Sequence, residues 1–296
     1  MNEIDQIAIN FDEGKLVFLY AIMSVLTFGV ALDISIEDFK NIFKTPKKVI
    51  AGLFSQLVIL PAYTVLLIYL WQPFPSISLG LALIAACPGG GMSNYASHLS
   101  KGNAALSVTL TSFVTLFALV TTPLTFSIIA SIFPDTSKLL SEIELNKMDI
   151  VWSIIQLILI PLSIGLWLNH KRPITAEKLR KPLRIISLVI FVGLLVGALA
   201  TNIQNIFKYL HIVFWIVVVH NIGAYILGFY FGKLNRLPEA DCRTLAIETG
   251  IQNIGLGLVI IFGFFQGLGG MMLVAAWWGV WDLISVLFLS LYWNRR

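Results

Sequence analysis

Apolar residues along this chain come in long runs, and the polar residues gather in short intervals between them. Runs of about 20 residues with few charges have the length that an α-helix needs to cross the hydrocarbon of a bilayer. The pattern divides into nine such spans, at 15–33, 48–71, 76–99, 104–133, 149–169, 183–201, 209–232, 240–265 and 268–293. It predicts an all-α polytopic membrane protein, with residues 1–296 as one membrane domain and no soluble appendage.

Composition agrees with the pattern. Hydrophobic residues make up 57% of the chain and charged residues only 12%, about half of the ~25% usual in soluble domains. Mean hydropathy is +0.86. The net charge of +4 belongs to loops and does not predict a nucleic-acid surface. Lys40, Lys44, Lys47 and Lys48 fall in the first loop, with Asp33, Glu37 and Asp38 beside them. Lys171, Arg172, Lys178, Arg180, Lys181 and Arg184 fall after the fifth span, Lys233, Arg236 and Arg243 after the seventh, and Arg295 and Arg296 at the end. The loop "PDTSKLLSEIELNKMD" between the fourth and fifth spans is net acidic. With nine spans every basic loop lies on one side, so the positive-inside rule predicts an outside N-terminus and a cytoplasmic C-terminus. The opening "MNEIDQIAINFDEGK" is acidic and carries no secretory signal pattern. Cys87 and Cys242 lie far apart with no metal or redox spacing and read as small apolar fillers.

Two spans contain what a membrane helix should not. "CPGGGMSN", residues 87–94, combines a proline with three glycines, so the helix is expected to break there. A break frees backbone groups that lipid cannot satisfy, and it is tolerated only against protein or a water-filled cavity. Ser93 and Asn94 follow at once. A proline kink with packing glycines is the plainer alternative. In the other half of the chain, "LAIETGIQNIGLGLVII", residues 245–261, holds Glu248 inside a span with Thr249, Gln252 and Asn253. An intramembrane acid costs about 2.5 kcal/mol or more by insertion scales and marks a functional site by default. A structural ion pair is the alternative, but the spans offer almost no lysine or arginine. A bound cation is the economical partner, and sodium, a hard ion, takes carboxylate, hydroxyl, amide and carbonyl oxygens. Ser107 and Thr111, one helical turn apart, and Gln56, isolated within the second span, offer more of these. Two interrupted helices, one in each half, are a mark of secondary transporters built from inverted repeats.

The motifs "CPGGGMSN", "GNAALSVTLTSFVTLFALVTTPL" and "AIETGIQNIGL", with "FGVALDISIEDFKNIFKTPKKVIAGLFSQ" and "VVVHNIGAYILGF", resemble the bile acid:sodium symporter family, above all its bacterial members. The resemblance runs from about Phe28 to the C-terminus. It implies a fold in its nine-helix version, with inverted repeats, two broken helices crossing in a core (about 48–133 and 209–293) and a panel (about 15–33 and 149–201). It implies a sodium-coupled symporter that imports an organic anion by alternating access in a bacterial inner membrane. The anion would be bile-acid-like, a steroid, or a small carboxylate such as pantoate. Two co-transported Na+ are implied. Ser93, Asn94, Ser107, Thr111 and Glu248 would hold the first; Gln56, Glu248 and Gln252, with the carbonyls of Thr249 and Ile251, would hold the second. Gly90, Gly91 and Asn253 would face the substrate.

Two positions depart from that pattern. Gly91 stands where bacterial relatives carry a hydroxyl residue, and Asp282, in "GVWDLISVLF", stands where they carry histidine or an uncharged polar residue. Asp282 is accordingly a further candidate at the substrate cavity, and a proton-coupled carrier using Glu248 or Asp282 is the nearest rival. No GxSxG or paired metal motif supports an enzyme. A passive channel gains little from a shared carboxylate. Partners are the lipid bilayer and a small anion, with no nucleic acid; a monomer is compatible with the sequence. His220 and Asn221 read as interhelical hydrogen-bonding residues. Trp71, Trp152, Trp167 and Trp293 near span ends read as interfacial anchors. Trp277, Trp278 and Trp281 read as packing, lipid-facing or cavity-lining residues.

Overall fold

The computed structural model describes residues 3–6, 13–32, 46–143, 152, 155–180, scattered positions between 182 and 193, and 203–295. Residues 33–45 of the first basic loop and most of the expected sixth span, 183–201, lie outside the described residues. The described elements are helical throughout. A short α1 (Glu3–Gln6) precedes α2 (Glu13–Ala31); α3 (Pro46–Phe54) runs through a π-helical turn at Ser55–Ile59 into α4 (Leu60–Trp71). Then come α5 (Pro75–Ala86), α6 (Gly91–Leu99), α7 (Ala104–Ile132) and α8 (Pro134–Glu142). A second π turn, Ile155–Leu159, leads into α9 (Ile160–Lys171), followed by α10 (Ile203–Leu234), α11 (Glu239–Gly250), α12 (Ile254–Phe264) and α13 (Gly269–Asn294).

Five described stretches are long and apolar enough to cross a membrane: Pro46–Trp71, Ala104–Ile132, Tyr209–Leu234, Glu239–Phe264 and Gly269–Asn294. The α5–α6 pair makes a sixth if its two arms, bent by 67°, form one span. These coincide with six of the expected spans, and α2 and α9 overlap two more. The acidic loop after the fourth span contains α8, with Pro134 in its first turn and Asp135 beside the helix N-terminus, both favourable there.

Helix faces sort by environment. On α7 the exposed residues Phe117, Val120, Leu124, Ile128 and Ile132 recur every three or four positions and form one apolar stripe. On α10, Trp215, Val219, Ile222 and Ile226 do the same. Continuous apolar stripes of this kind on the outside of a bundle suit lipid rather than water. The innermost span is Glu239–Phe264, whose apolar window is 94% buried. Leu81 and Ile84 of α5, Val259 and Ile261 of α12, and Met271, Val274 and Trp278 of α13 share one buried cluster with it. α2 packs on α9, where Ala31 meets Leu162. Trp71, Trp152 and Trp167 are exposed. Trp293 is not: it is 9% exposed, stacks on Phe229 and lies under the Arg243 guanidinium. A partner ring and a cation inside the bundle outweigh its position at a span end. Trp278 is buried against His220, and Trp277 stacks on Phe214, so both are packing residues.

Candidate functional site

Both expected interruptions occur, and they touch. α5 stops at Ala86, Cys87 is extended (φ −67°, ψ 147°), and the helix resumes only at Gly91. In the other half α11 ends at Gly250, Ile251 is extended (φ −98°, ψ 126°), and α12 starts at Ile254. The second interruption opens the backbone without a bend comparable to the first. Asn253 restarts its helix by accepting the Leu256 N–H at 3.1 Å through its own side chain, a helix N-cap. Its backbone N–H donates to the Pro88 carbonyl at 2.8 Å, so one break supplies a donor to the other. Glycine permits this closeness. A Cβ on Gly89 would stand 3.3 Å from Glu248 Oε2 and 3.8 Å from the Ile251 carbonyl oxygen, and one on Gly90 would stand 3.4 Å from the Gln252 carbonyl oxygen.

Around that contact lies a dense set of oxygens. Glu248, fully buried, accepts from Ser107 Oγ at Oε1 and from Gln56 Nε2 at Oε2 (3.1 Å), while Thr111 Oγ1 lies 3.1 and 3.0 Å from its two oxygens. Asn94 Oδ1 is 2.9 Å from Ser107 Oγ and 3.2 Å from Thr111 Oγ1. Ser93 Oγ donates to the Gly90 carbonyl at 2.7 Å and lies 3.2 Å from Thr111 Oγ1. Thr111 Oγ1 thus faces Ser93 Oγ, Asn94 Oδ1 and both Glu248 oxygens while owning one hydrogen. Each hydroxyl carries a single proton, so these acceptors outnumber the hydrogens available to them. No lysine or arginine pairs with Glu248 among the described residues. A carboxylate buried without a counter-charge is costly, and an oxygen-rich, proton-poor cluster is a suitable setting for a hard cation. No group of three or more His, Cys, Asp or Glu side chains able to hold a metal occurs among the described residues.

The other candidates border this cluster. Gln56 sits in the π turn before Pro61, whose missing N–H cannot complete a regular helical ladder. Its Nε2 is used by Glu248, while its Oε1 is buried without a hydrogen-bond partner. Gln252 Nε2 donates to the Thr249 carbonyl at 3.0 Å. Ser55, unremarked in the sequence beside Gln56, bonds Thr249 Oγ1 at 2.7 Å and ties α11 to the π turn. Beside the first break a small crevice is lined by Gln56, Pro61, Ala86, Pro88, Val114 and Thr125 among others. Gly90 and Gly91 are half-buried at the break. His98 is exposed, while His220 bonds Thr64 Oγ1 at 2.7 Å between helices. Asp282 is buried too; the neutral Asn221 donates to its Oδ1 at 2.8 Å and the Gln252 N–H lies 3.4 Å from its Oδ2. Its companion was hidden from the sequence because it carries no charge.

Residues 20–209 match the family model of the Sodium Bile acid symporter family. The chain is 29% identical over 279 residues to the uncharacterized sodium-dependent transporter YocS of Bacillus subtilis (strain 168), an overlap of 94% of this chain and 84% of that protein. It is 29% identical over 259 residues to the human ileal sodium/bile acid cotransporter, covering 85% of this chain and 72% of that one. To the probable sodium/metabolite cotransporter BASS1, chloroplastic, of Arabidopsis thaliana it is 27% identical over 242 residues, 80% of this chain but 57% of the plant protein.

Proposed function

The chain belongs to the Sodium Bile acid symporter family, a family of transporters and not of enzymes, and from that premise we propose that it is a sodium-coupled symporter that imports an organic anion by alternating access. The observation that carries this reading is the surplus of acceptor oxygens around a buried carboxylate with no basic partner among the described residues. Ser93, Asn94, Ser107, Thr111 and Glu248 hold one sodium. Gln56, Glu248, Gln252 and the carbonyls of Thr249 and Ile251 hold a second. The unpartnered Gln56 Oε1 supports that assignment. Both ions are co-substrates, released on the far side.

The chain works as a differential binder. Sodium shifts a conformational equilibrium only by its difference in affinity between the two states. The cage draws ligands from α6, α7 and α11, and its second part adds the π turn before α4. Separation of these elements removes ligands, so the ion favours the state in which they meet. Gly90, Gly91 and Asn253 face the substrate, and the N-termini of α6 and α12 offer their positive dipole ends to its anionic group. Nine transmembrane helices in inverted repeats complete the reading, with a core of about 48–133 and 209–293 and a panel of about 15–33 and 149–201. The packing of α2 on α9 supports the panel.

The test is thermal stability of the purified chain in detergent across sodium and potassium. Sodium alone is expected to raise the melting midpoint, and Glu248→Ala is expected to abolish the rise. An equal response to both ions overturns sodium coupling. A sodium response that persists in both Glu248→Ala and Gln252→Ala overturns the residue assignment.

A further inference from the structure

The opened segment Gly250–Gln252 is also clamped from α10 and α13, which supply none of the cage side chains. Gly250 ends α11, so its carbonyl has no helical donor, and the extended Ile251 leaves the Gln252 N–H without a helical acceptor. Lipid offers neither group a partner. Both are taken up by one pair of side chains. Asn221 Nδ2, on α10, donates to the Gly250 carbonyl at 2.9 Å and to Asp282 Oδ1 at 2.8 Å. Asp282 Oδ2, on α13, lies 3.4 Å from the Gln252 N–H. Asn221 is 0% exposed and Asp282 6%, so the pair is shielded from bulk solvent. A second link runs one turn further along both helices, where Tyr225 Oη lies 3.1 Å from Ser285 Oγ.

The pair therefore holds the polar backbone groups on either side of Ile251. With both flanks fixed, the Ile251 peptide has little freedom, and its carbonyl stays on the side of Gly89, where a Cβ would be 3.8 Å away. That carbonyl and the neighbouring Thr249 carbonyl belong to the second ion site in the reading above, on which this inference rests. We propose that Asp282 and Asn221 are positioning residues for that site: without touching the ion, they set its affinity by holding the segment that supplies its carbonyls.

The experiment uses the full chain, purified in detergent, with the melting midpoint followed as sodium is titrated against a constant total of sodium plus potassium. Asp282→Asn keeps the size of the side chain but puts an amide where one of the two accepting oxygens stands; Asn221→Ala leaves the carboxyl group and releases the Gly250 carbonyl. Each is expected to raise the half-saturating sodium concentration about tenfold, the equivalent of about 1.4 kcal/mol. A purely structural role would lower the sodium-free midpoint and leave half-saturation within about twofold of wild type, and that result overturns the proposal. Asn221→Ala decides alone if Asp282→Asn does not fold. Loss of any sodium-specific response in the wild-type chain would instead overturn the ion-site reading, so the two failures are distinguishable.

Discussion

Glu248→Gln separates a carboxylate that serves an ion from one that serves the fold. The substitution preserves shape and leaves the neighbours in place. Gln56 Nε2, 3.1 Å from Oε2, can still donate to the remaining oxygen, and the hydroxyls of Ser107 and Thr111 can turn to accept from the new amide. What changes is charge. Without sodium the wild-type carboxylate carries a burial cost of about 2.5–3.5 kcal/mol on insertion scales, offset in part by hydrogen bonds worth about 1.5–3 kcal/mol each when a charged group takes part. The amide avoids most of that cost and keeps weaker versions of the bonds. In potassium, therefore, Glu248→Gln is expected to melt within a few degrees of wild type, or above it. With sodium the order reverses. A ligand at tenfold its dissociation constant stabilises by about 1.4 kcal/mol, and at a hundredfold by about 2.7 kcal/mol. At roughly 2 °C per kcal/mol, wild type should gain about 3–5 °C per ion bound, and the variant almost nothing. The assay is a pair of melting curves for each protein, in sodium and in potassium. A variant that melts far below wild type in potassium, yet gains as much from sodium, would refute the argument. Glu248 would then be a structural hub and the ion would bind elsewhere.

Gly89→Ala places a methyl 3.3 Å from Glu248 Oε2, closer than relaxed contacts allow; sodium affinity should fall by about an order of magnitude, read from the sodium dependence of uptake into proteoliposomes. Asn253→Ala removes the cap of α12, with a loss of about 1 kcal/mol and a lower melting midpoint, whereas Asn253→Ser should recover most of it. Asn103 donates to Asp241 Oδ1 at 2.6 Å and caps α7 by accepting from Leu106 N–H at 3.1 Å; Asn103→Ala should lower the midpoint equally in sodium and potassium, because neither bond belongs to the cage.

Much of the helical frame was legible because span length is a one-dimensional property. A run of apolar residues bounded by charge reports its own ends, and Pro46–Trp71, Ala104–Ile132 and Gly269–Asn294 match the expected limits closely. α8 was not legible, since PDTSKLLSE is too polar to register as a span and too short for a clear period. Trp293 was misplaced for a different reason: its partners Phe229 and Arg243 are distant in sequence, and a tryptophan at a helix end looks the same whether it points inward or outward. The breaks were legible from proline and glycine, but their extent was not. The cap from Asn253 restarts the helix at Ile254, and Gly257 lies in the buried face of α12, close against Ile84.

If Glu248 serves both ions, as proposed, coupling needs no separate relay. Pro88 and Asn253 are joined by one backbone bond, and Gly89 lies against Glu248. The distance between the two breaks and the closure of the cage are therefore one geometric variable. In the proposed reading, the N-termini of α6 and α12, which start at Gly91 and Ile254, are fixed by that same variable. An ion that draws Ser93, Asn94, Ser107 and Thr111 toward Glu248 sets the spacing of the helix ends that would receive an anion. The anion, by drawing those ends together, would tighten the cage in return, as linkage requires. Asp282 and Asn221 fit this scheme as the fixed wall against which the second break is held. Without that wall, ion binding could be absorbed by movement of Gly250–Gln252 alone, and the first break would receive no signal.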